Sequence, residues 1–210
     1  MSDMFDYGFR KILAVAASDS PTPGGGSVSA MVGALGVSMA AMVGNLTVGK
    51  PKYAEVEAEA AELTGRAYYI MARLEKLMAA DIAAFGKFMD TYRMPKNTDE
   101  EKARREEAAQ KALKAATNVP LQVAKMLLEA LSVTEKLARI GNKTAVSDAG
   151  VAAYVCEAAC RAVLLNVDIN VPLISDPGFV SGVLAEKKKI ADEAARIKKL
   201  AVAVVKERML

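Results

Sequence analysis

"SPTPGGGSVSAMVGALGVSMAAMVGNLTVG", residues 20–49, contains no charged side chain. Its length would cross a bilayer. It is rich, however, in Ala, Gly, Ser and Met, with only two Leu and no Ile or Phe. A helix that is apolar all round and rich in small residues belongs at the centre of a bundle. Gly33, Gly36 and Ala40 would let neighbouring helices approach closely. The start of the stretch poses a separate question. Gly24, Gly25 and Gly26 are costly to order, because glycine loses the most backbone freedom on folding. They are either a loose linker or a wall against which something lies very close.

Working outward, residues 4–17 read as a short first helix. Residues 54–91 carry Leu63, Ala67, Ile70, Leu74, Leu77, Ala84 and Phe88 at spacings of three, four and seven, the period of an amphipathic helix. "MPKNTDEEK" at 94–102 interrupts it. There, Thr98 with Glu101 is a capping box, and Asp99 and Glu100 suit a helix N-terminus. The helix that follows is expected to reach about residue 118, with Pro120 in the first turn of another that runs to about 140. "GNK" at 141–143 reads as a C-terminal stop. A further helix is expected from about 147 to 170, then a loop at "VPLISDPGF", then a last helix from about 178 to 208. No segment alternates with period two. The expectation is an all-α, single-domain helical bundle over residues 1–210, with about six to eight helices and a long buried central one.

Composition narrows the function. Hydrophobic residues make up 52% of the 210, but aromatics only 5% and there is no Trp, so the core is built of small and aliphatic side chains. The net charge is +3 with both signs interleaved, which argues against a dedicated nucleic-acid surface. A mildly basic balance still suits an anionic small molecule. Cys156 and Cys160 share a helix face and read as core residues in a reducing compartment; two thiols alone are a poor metal site. "MSDMFDYGFRK" has acids and no apolar signal core, so a cytoplasmic protein is expected. There is no histidine. Ser-His triads and histidine-ligated metals are therefore excluded, and proton transfer falls to Asp, Glu, Lys, Tyr or Cys.

Some polar residues stand in apolar settings. Asp81 shares a heptad position with Ala67, Leu74 and Phe88. A carboxylate there is costly unless paired or used, and burial would raise its pKa as a general acid or base requires. Asp148 follows Ser147 at a helix start, an ordinary capping context, but Gly150 nearby would permit close approach where helix N–H groups point outward. Asn166 sits on an otherwise apolar run with Asn170 one turn on, and an amide can read the edge of a pyrimidine-like ring. Lys50, Lys52 and Tyr53 arrive together where the uncharged helix ends. They are a solvated helix end, or Lys50 closes a pocket floored by that helix.

"SPTPGGGSVSA", "NLTVGKPKY", "DIAAF", "YRMPKNTDEEKARR", "VPL", "GNKTAVSDAGVAA" and "LNVDINVPLI", in that order, resemble the blocks of the formiminotetrahydrofolate cyclodeaminase and methenyltetrahydrofolate cyclohydrolase family. The resemblance spans nearly the whole chain. It implies an all-helical homodimer that binds a reduced folate. It implies one of two activities: hydrolysis of 5,10-methenyltetrahydrofolate to 10-formyltetrahydrofolate, or ring closure of 5-formiminotetrahydrofolate with loss of ammonia. The stretches at 94–102 and 147–152 look nearest the stand-alone cyclohydrolases. Asp148, Asp81 and Lys50 are then the expected acid, base and proton partner, in an order the sequence leaves open. Thr22, Pro23, Gly24, Gly25, Gly26, Asn45, Tyr53, Asn166 and Asn170 are the expected folate contacts. The resemblance implies no metal or redox cofactor, no nucleic acid and no membrane. A folate-binding protein without turnover, and a structural or membrane-associated helical protein, are the readings from other classes.

Overall fold

The triple glycine does lead straight into a helix. The computed structural model describes residues 4–210, and in it α2 spans Gly25–Asn45. Its small residues act as notches. A Cβ on Gly33 would lie 2.4 Å from Leu127 Cδ2, and one on Gly36 would lie 2.9 Å from Cys156 Sγ and from Val155 Cγ1. The other helices are α1 (Phe9–Ala16), α3 (Glu57–Thr91), α4 (Asp99–Ile140), α5 (Val146–Asn170) and α6 (Pro177–Met209). Short 3-10 turns at Met4–Asp6, Pro51–Val56, Lys143–Ala145 and Val171–Leu173 join or precede them. No strand occurs among the described residues.

Helix α2 packs against α3 and α5, α4 against α3, α5 and α6, and α5 also against α6. The α2–α5 pair is antiparallel, because Gly25 lies beside Asn166 and Gly36 beside Cys156. The core is formed by Ile70, Leu74 and Met78 of α3, Leu127 and Leu131 of α4, Val37 and Val43 of α2, and Val163 and Val167 of α5, all nearly or fully buried. Buried Thr64, Thr117 and Thr134 each donate to the carbonyl four residues back, so these core hydroxyls need no partner on another helix. Cys156 and Cys160 are free and buried, and burial pushes both thiols up to about 12, which fits inert core residues.

Three expectations are corrected. Helix α4 does not break before Pro120 but runs through it. Proline cannot donate to the carbonyl four residues back, and the Asn170 side-chain amide donates to that Ala116 oxygen instead, at 3.2 Å. The "GNK" stop stands where expected, since α4 ends at Ile140 with Gly141 as its extended C-cap, φ −70° and ψ 175°. It must be glycine because a Cβ would meet the Leu137 carbonyl and Val43 Cγ1 at 2.6 Å. The left-handed glycine is Gly49, φ 73°, which turns the chain out of α2. The first helix is split, a 3-10 turn preceding α1.

Finally, α2 is not buried on all sides. Val32, Leu35, Met42 and Leu46 are exposed along its outer side, and Val151, Tyr154, Leu165 and Ile169 are exposed along α5. Val32, Leu35, Met42 and Leu46 follow one another at three, seven and four and share one helix face; on α5 the exposed Arg161 stands on the same face between Tyr154 and Leu165. Both α2 and the segment Lys143–Leu173 are long and apolar enough to cross a membrane, with 61% and 50% of those windows buried.

Candidate active site

The cleft that holds the off-pattern carboxylate opens at the N-terminus of α2. Gly24 precedes the helix without a side-chain cap, so the first backbone N–H groups need acceptors from elsewhere. Asp81, from α3, supplies one. Its Oδ2 accepts from the Ser27 hydroxyl at 2.8 Å, and the Ser27 backbone N–H also holds the carboxylate. Burial pushes the Asp81 carboxyl above the usual carboxylate range, and the two Ser27 bonds oppose that shift. Gly26 makes this seat possible, since a Cβ there would lie 2.6 Å from Asp81 Oδ1.

The cleft has a volume of about 360 Å³. Thr22, Gly24, Gly25 and Gly26 form one wall, Ile82, Phe85 and Phe88 of α3 another, and Asn166, Ile169 and Asn170 of α5 a third. A Cβ on Gly25 would stand 3.7 Å from the Asn166 amide nitrogen. Ser20 does not point a free hydroxyl at the cleft; it donates to the Thr22 carbonyl within the loop. Pro23 is buried behind the wall rather than lining it. Asp81 is the single titratable side chain among the described lining residues.

A second groove of about 490 Å³ adjoins the first, with Phe88 and Leu173 in both. It carries Lys96, Lys102 and Arg105 against one carboxylate, Glu106. Arg105 donates to the Thr91 carbonyl and lies over the Tyr92 ring, while Lys102 pairs with Asp99. No group of carboxylates and thiols among the described residues gathers as metal ligands.

The remaining expected residues lie at the other end of the bundle. Lys50, Tyr53, Asn142, Lys143 and Thr144 line an open groove of about 660 Å³. Asn142 organises this end. It donates to the Leu46 carbonyl at 2.8 Å, accepts from Thr144, and its backbone N–H donates to Thr47 Oγ1. The Tyr53 hydroxyl accepts from the Lys143 backbone N–H at 2.9 Å. Asn45 is bonded to the Tyr68 hydroxyl, away from the cleft. Asp148 stands in the first turn of α5 but caps nothing: Ala145 precedes the helix without a side-chain cap. Gly150 is taken up by packing, with Val205 Cγ1 3.2 Å from a Cβ built there. Along α5, Asp148 and Asn166 are roughly 27 Å apart. The chain thus brings Asp81 together with Thr22, Gly24, Gly25, Gly26, Asn166 and Asn170, and keeps Lys50, Asn45, Tyr53 and Asp148 at the opposite end. Ser27 and Asn142 were missed in the sequence. Ser27 directly follows the glycines, and Asn142 sits inside the segment read only as a helix stop.

The family model described as formiminotransferase-cyclodeaminase matches residues 8–189. The chain belongs to this family. A methenyltetrahydrofolate cyclohydrolase of Methylorubrum extorquens is 39% identical over 193 residues, covering 92% of this chain and 93% of that protein. The formimidoyltransferase-cyclodeaminase of Mus musculus is 33% identical over 192 residues, and the matched part is 36% of that longer protein. The crystal structure of a formiminotetrahydrofolate cyclodeaminase from Thermotoga maritima superposes with a TM-score of 0.87 at 30% identity, covering 97% of this chain and 98% of that one. The matched part spans nearly all of the Methylorubrum and Thermotoga proteins and about a third of the Mus musculus one.

Proposed function

We propose that the protein is a methenyltetrahydrofolate cyclohydrolase, converting 5,10-methenyltetrahydrofolate and water to 10-formyltetrahydrofolate. The observation that carries this reading is one half-buried carboxylate, Asp81, held by Ser27 in a cleft walled on one side by side-chain-free backbone. A pterin fits against Gly25 with its ring edge toward the Asn166 amide. The benzoyl ring passes Phe85 and Phe88, and the anionic tail enters the groove of Lys96, Lys102 and Arg105.

The substrate carries a cationic amidinium carbon, which a carboxylate tolerates and stabilises. Asp81 takes a proton from water as the water oxygen bonds to that carbon. The bond from carbon to N5 then breaks as N5 receives a proton. The remaining hydroxyl loses its proton to give the formyl group, so one water is consumed and one proton released. Within a single protomer Asp81 must serve as both base and acid. The scheme uses no metal or redox cofactor.

The same site supports a second reading, because the Thermotoga relative is named a formiminotetrahydrofolate cyclodeaminase. In that reaction the carboxyl would protonate the departing amine. The reading also includes a homodimer, supported by the exposed apolar stripes of α2 and α5. A paired absorbance assay tests it: decay of methenyltetrahydrofolate in water, against methenyl formation from formiminotetrahydrofolate. Accelerated decay is the expected result. Methenyl formation without accelerated decay would establish the cyclodeaminase. Folate binding with neither would reduce the protein to a binding module.

A further inference from the structure

We propose that Leu173 is the divider against which the benzoyl ring of the substrate rests, and that Gln110 is the positioning residue that holds it there. This deepens the folate reading above and rests on its placement of one substrate across both cavities; it is indifferent to which of the two reactions follows. The cleft of Asp81 and the groove of Lys96, Lys102 and Arg105 share two lining residues, Phe88 of α3 and Leu173 of the turn after α5. A molecule that occupies both cavities at once must pass these two side chains. The Phe88 ring is braced edge-on by Tyr92, with ring centres 5.4 Å apart. Leu173 is 51% exposed, although the next residue, Ile174, is buried. Its free apolar surface stands at the junction where a flat apolar ring has to cross.

A half-exposed leucine on a surface connection is ordinarily free to move. This one is fixed, because the chain from Asn170 to Asp176 is sewn to α4. Beside the Asn170 bond to Ala116, Lys114 pairs with Asp176 at 2.7 Å. Gln110, one turn before Lys114, grips the middle. Its Nε2 donates to the Leu173 carbonyl at 3.0 Å, and its Oε1 accepts from the Ser175 backbone N–H at 2.9 Å. These two bonds fix the peptide planes on both sides of buried Ile174, and so where Leu173 stands. A carbonyl only accepts and an N–H only donates, so one side chain that serves both must be an amide. Gln110 also lines the groove, but it does not greet the tail. Its second N–H is spent on Glu106 at 2.9 Å. With both donors engaged, its task is the connection, and it acts on the substrate through Leu173. Holding that surface in place beforehand spares the complex the cost of ordering it.

Binding without turnover tests this. Two ligands are titrated by calorimetry: 5-formyltetrahydrofolate, which spans both cavities, and 6-methyltetrahydropterin, which carries the fused ring alone. The proteins are wild type, Gln110→Met, Leu173→Ala, the double variant and Leu173→Met. Methionine nearly matches glutamine in shape and makes neither bond. About half the surface of a leucine is at stake, so each of Gln110→Met and Leu173→Ala should bind the folate about 10-fold more weakly. Neither should change its affinity for the pterin. Leu173→Met keeps a long apolar side chain and should bind both ligands as wild type does. The double variant should lose no more than Leu173→Ala alone, because Gln110 acts through Leu173.

In turnover, the same variants should raise KM about 10-fold and leave kcat within about twofold, since Asp81 is untouched and the lost contact serves ground state and transition state alike. A Gln110 that only staples the fold gives another pattern: equal losses for folate and pterin, or losses that add to those of Leu173→Ala. Either pattern, or a fall in kcat at constant KM, overturns the proposal. Wild type that binds the folate beside variants that bind it equally well overturns this proposal alone. Wild type that binds no reduced folate overturns the folate reading, and this proposal with it.

Discussion

Asp81 is the residue on which pH should act. Burial holds its pKa above the ordinary carboxylate range. Between the ordinary value and the raised one, the folded chain keeps a proton that the unfolded chain has released. The contribution of this group to stability therefore falls as pH rises through that window and is constant above it. Turnover needs the ionised base, so kcat/KM should rise with pH across the raised pKa. Ser27→Ala removes a bond that favours the ionised form, and its acid limb should move to higher pH; a pH–rate profile checks both. Asn170→Ala makes a different prediction. It leaves the Ala116 carbonyl beside Pro120 without its donor, at an expected cost of about 1 kcal/mol in urea denaturation. Lys, Arg or Gln would not restore it as well as Asn itself. These two residues also show how far a sequence carries. Asp81 was legible because it breaks an apolar period. The task of Asn170 was not, since nothing in the spacing relates it to a carbonyl 54 positions earlier.

At the scale of the helix, the bundle is set by notches. Gly44 abuts Thr64 so closely that a Cβ would fall 1.9 Å from its hydroxyl, which is itself bonded to the Ala60 carbonyl. Gly44→Ala must expel that hydroxyl or part α2 from α3, and should cost on the order of 1–3 kcal/mol. Adding Thr64→Ala vacates the contested space, so the double variant should recover part of the loss; thermal melts of the three proteins decide it. Helix existence was readable from periodicity, and the Thr98–Glu101 capping box formed as expected, with Glu101 N–H donating to Thr98 Oγ1 at 3.2 Å. The continuity of α4 was not readable. A proline signals a break locally, and the rescue by a side chain of α5 is a tertiary event.

For the molecule as a whole, the fold class followed from uncharged length and small residues, but the division of the candidate site did not. Residues 50, 81, 148 and 166 carry no mark of which end of an antiparallel pair they occupy. The apolar outer face supplies the whole-molecule prediction. Leu35→Glu, in mid-stripe and 58% exposed in the single chain, should leave the helices intact by circular dichroism and halve the mass seen by light scattering. Wild-type mass in that variant would place the interface elsewhere. The same face also governs how the protein comes into being. In the proposed homodimer each chain builds its core alone, and the stripe of α2 and α5 is covered only after two finished chains collide. Recovery from denaturant should then end in a step whose half-time shortens as chain concentration rises, and freshly made protein should be most prone to clumping in the interval before that collision.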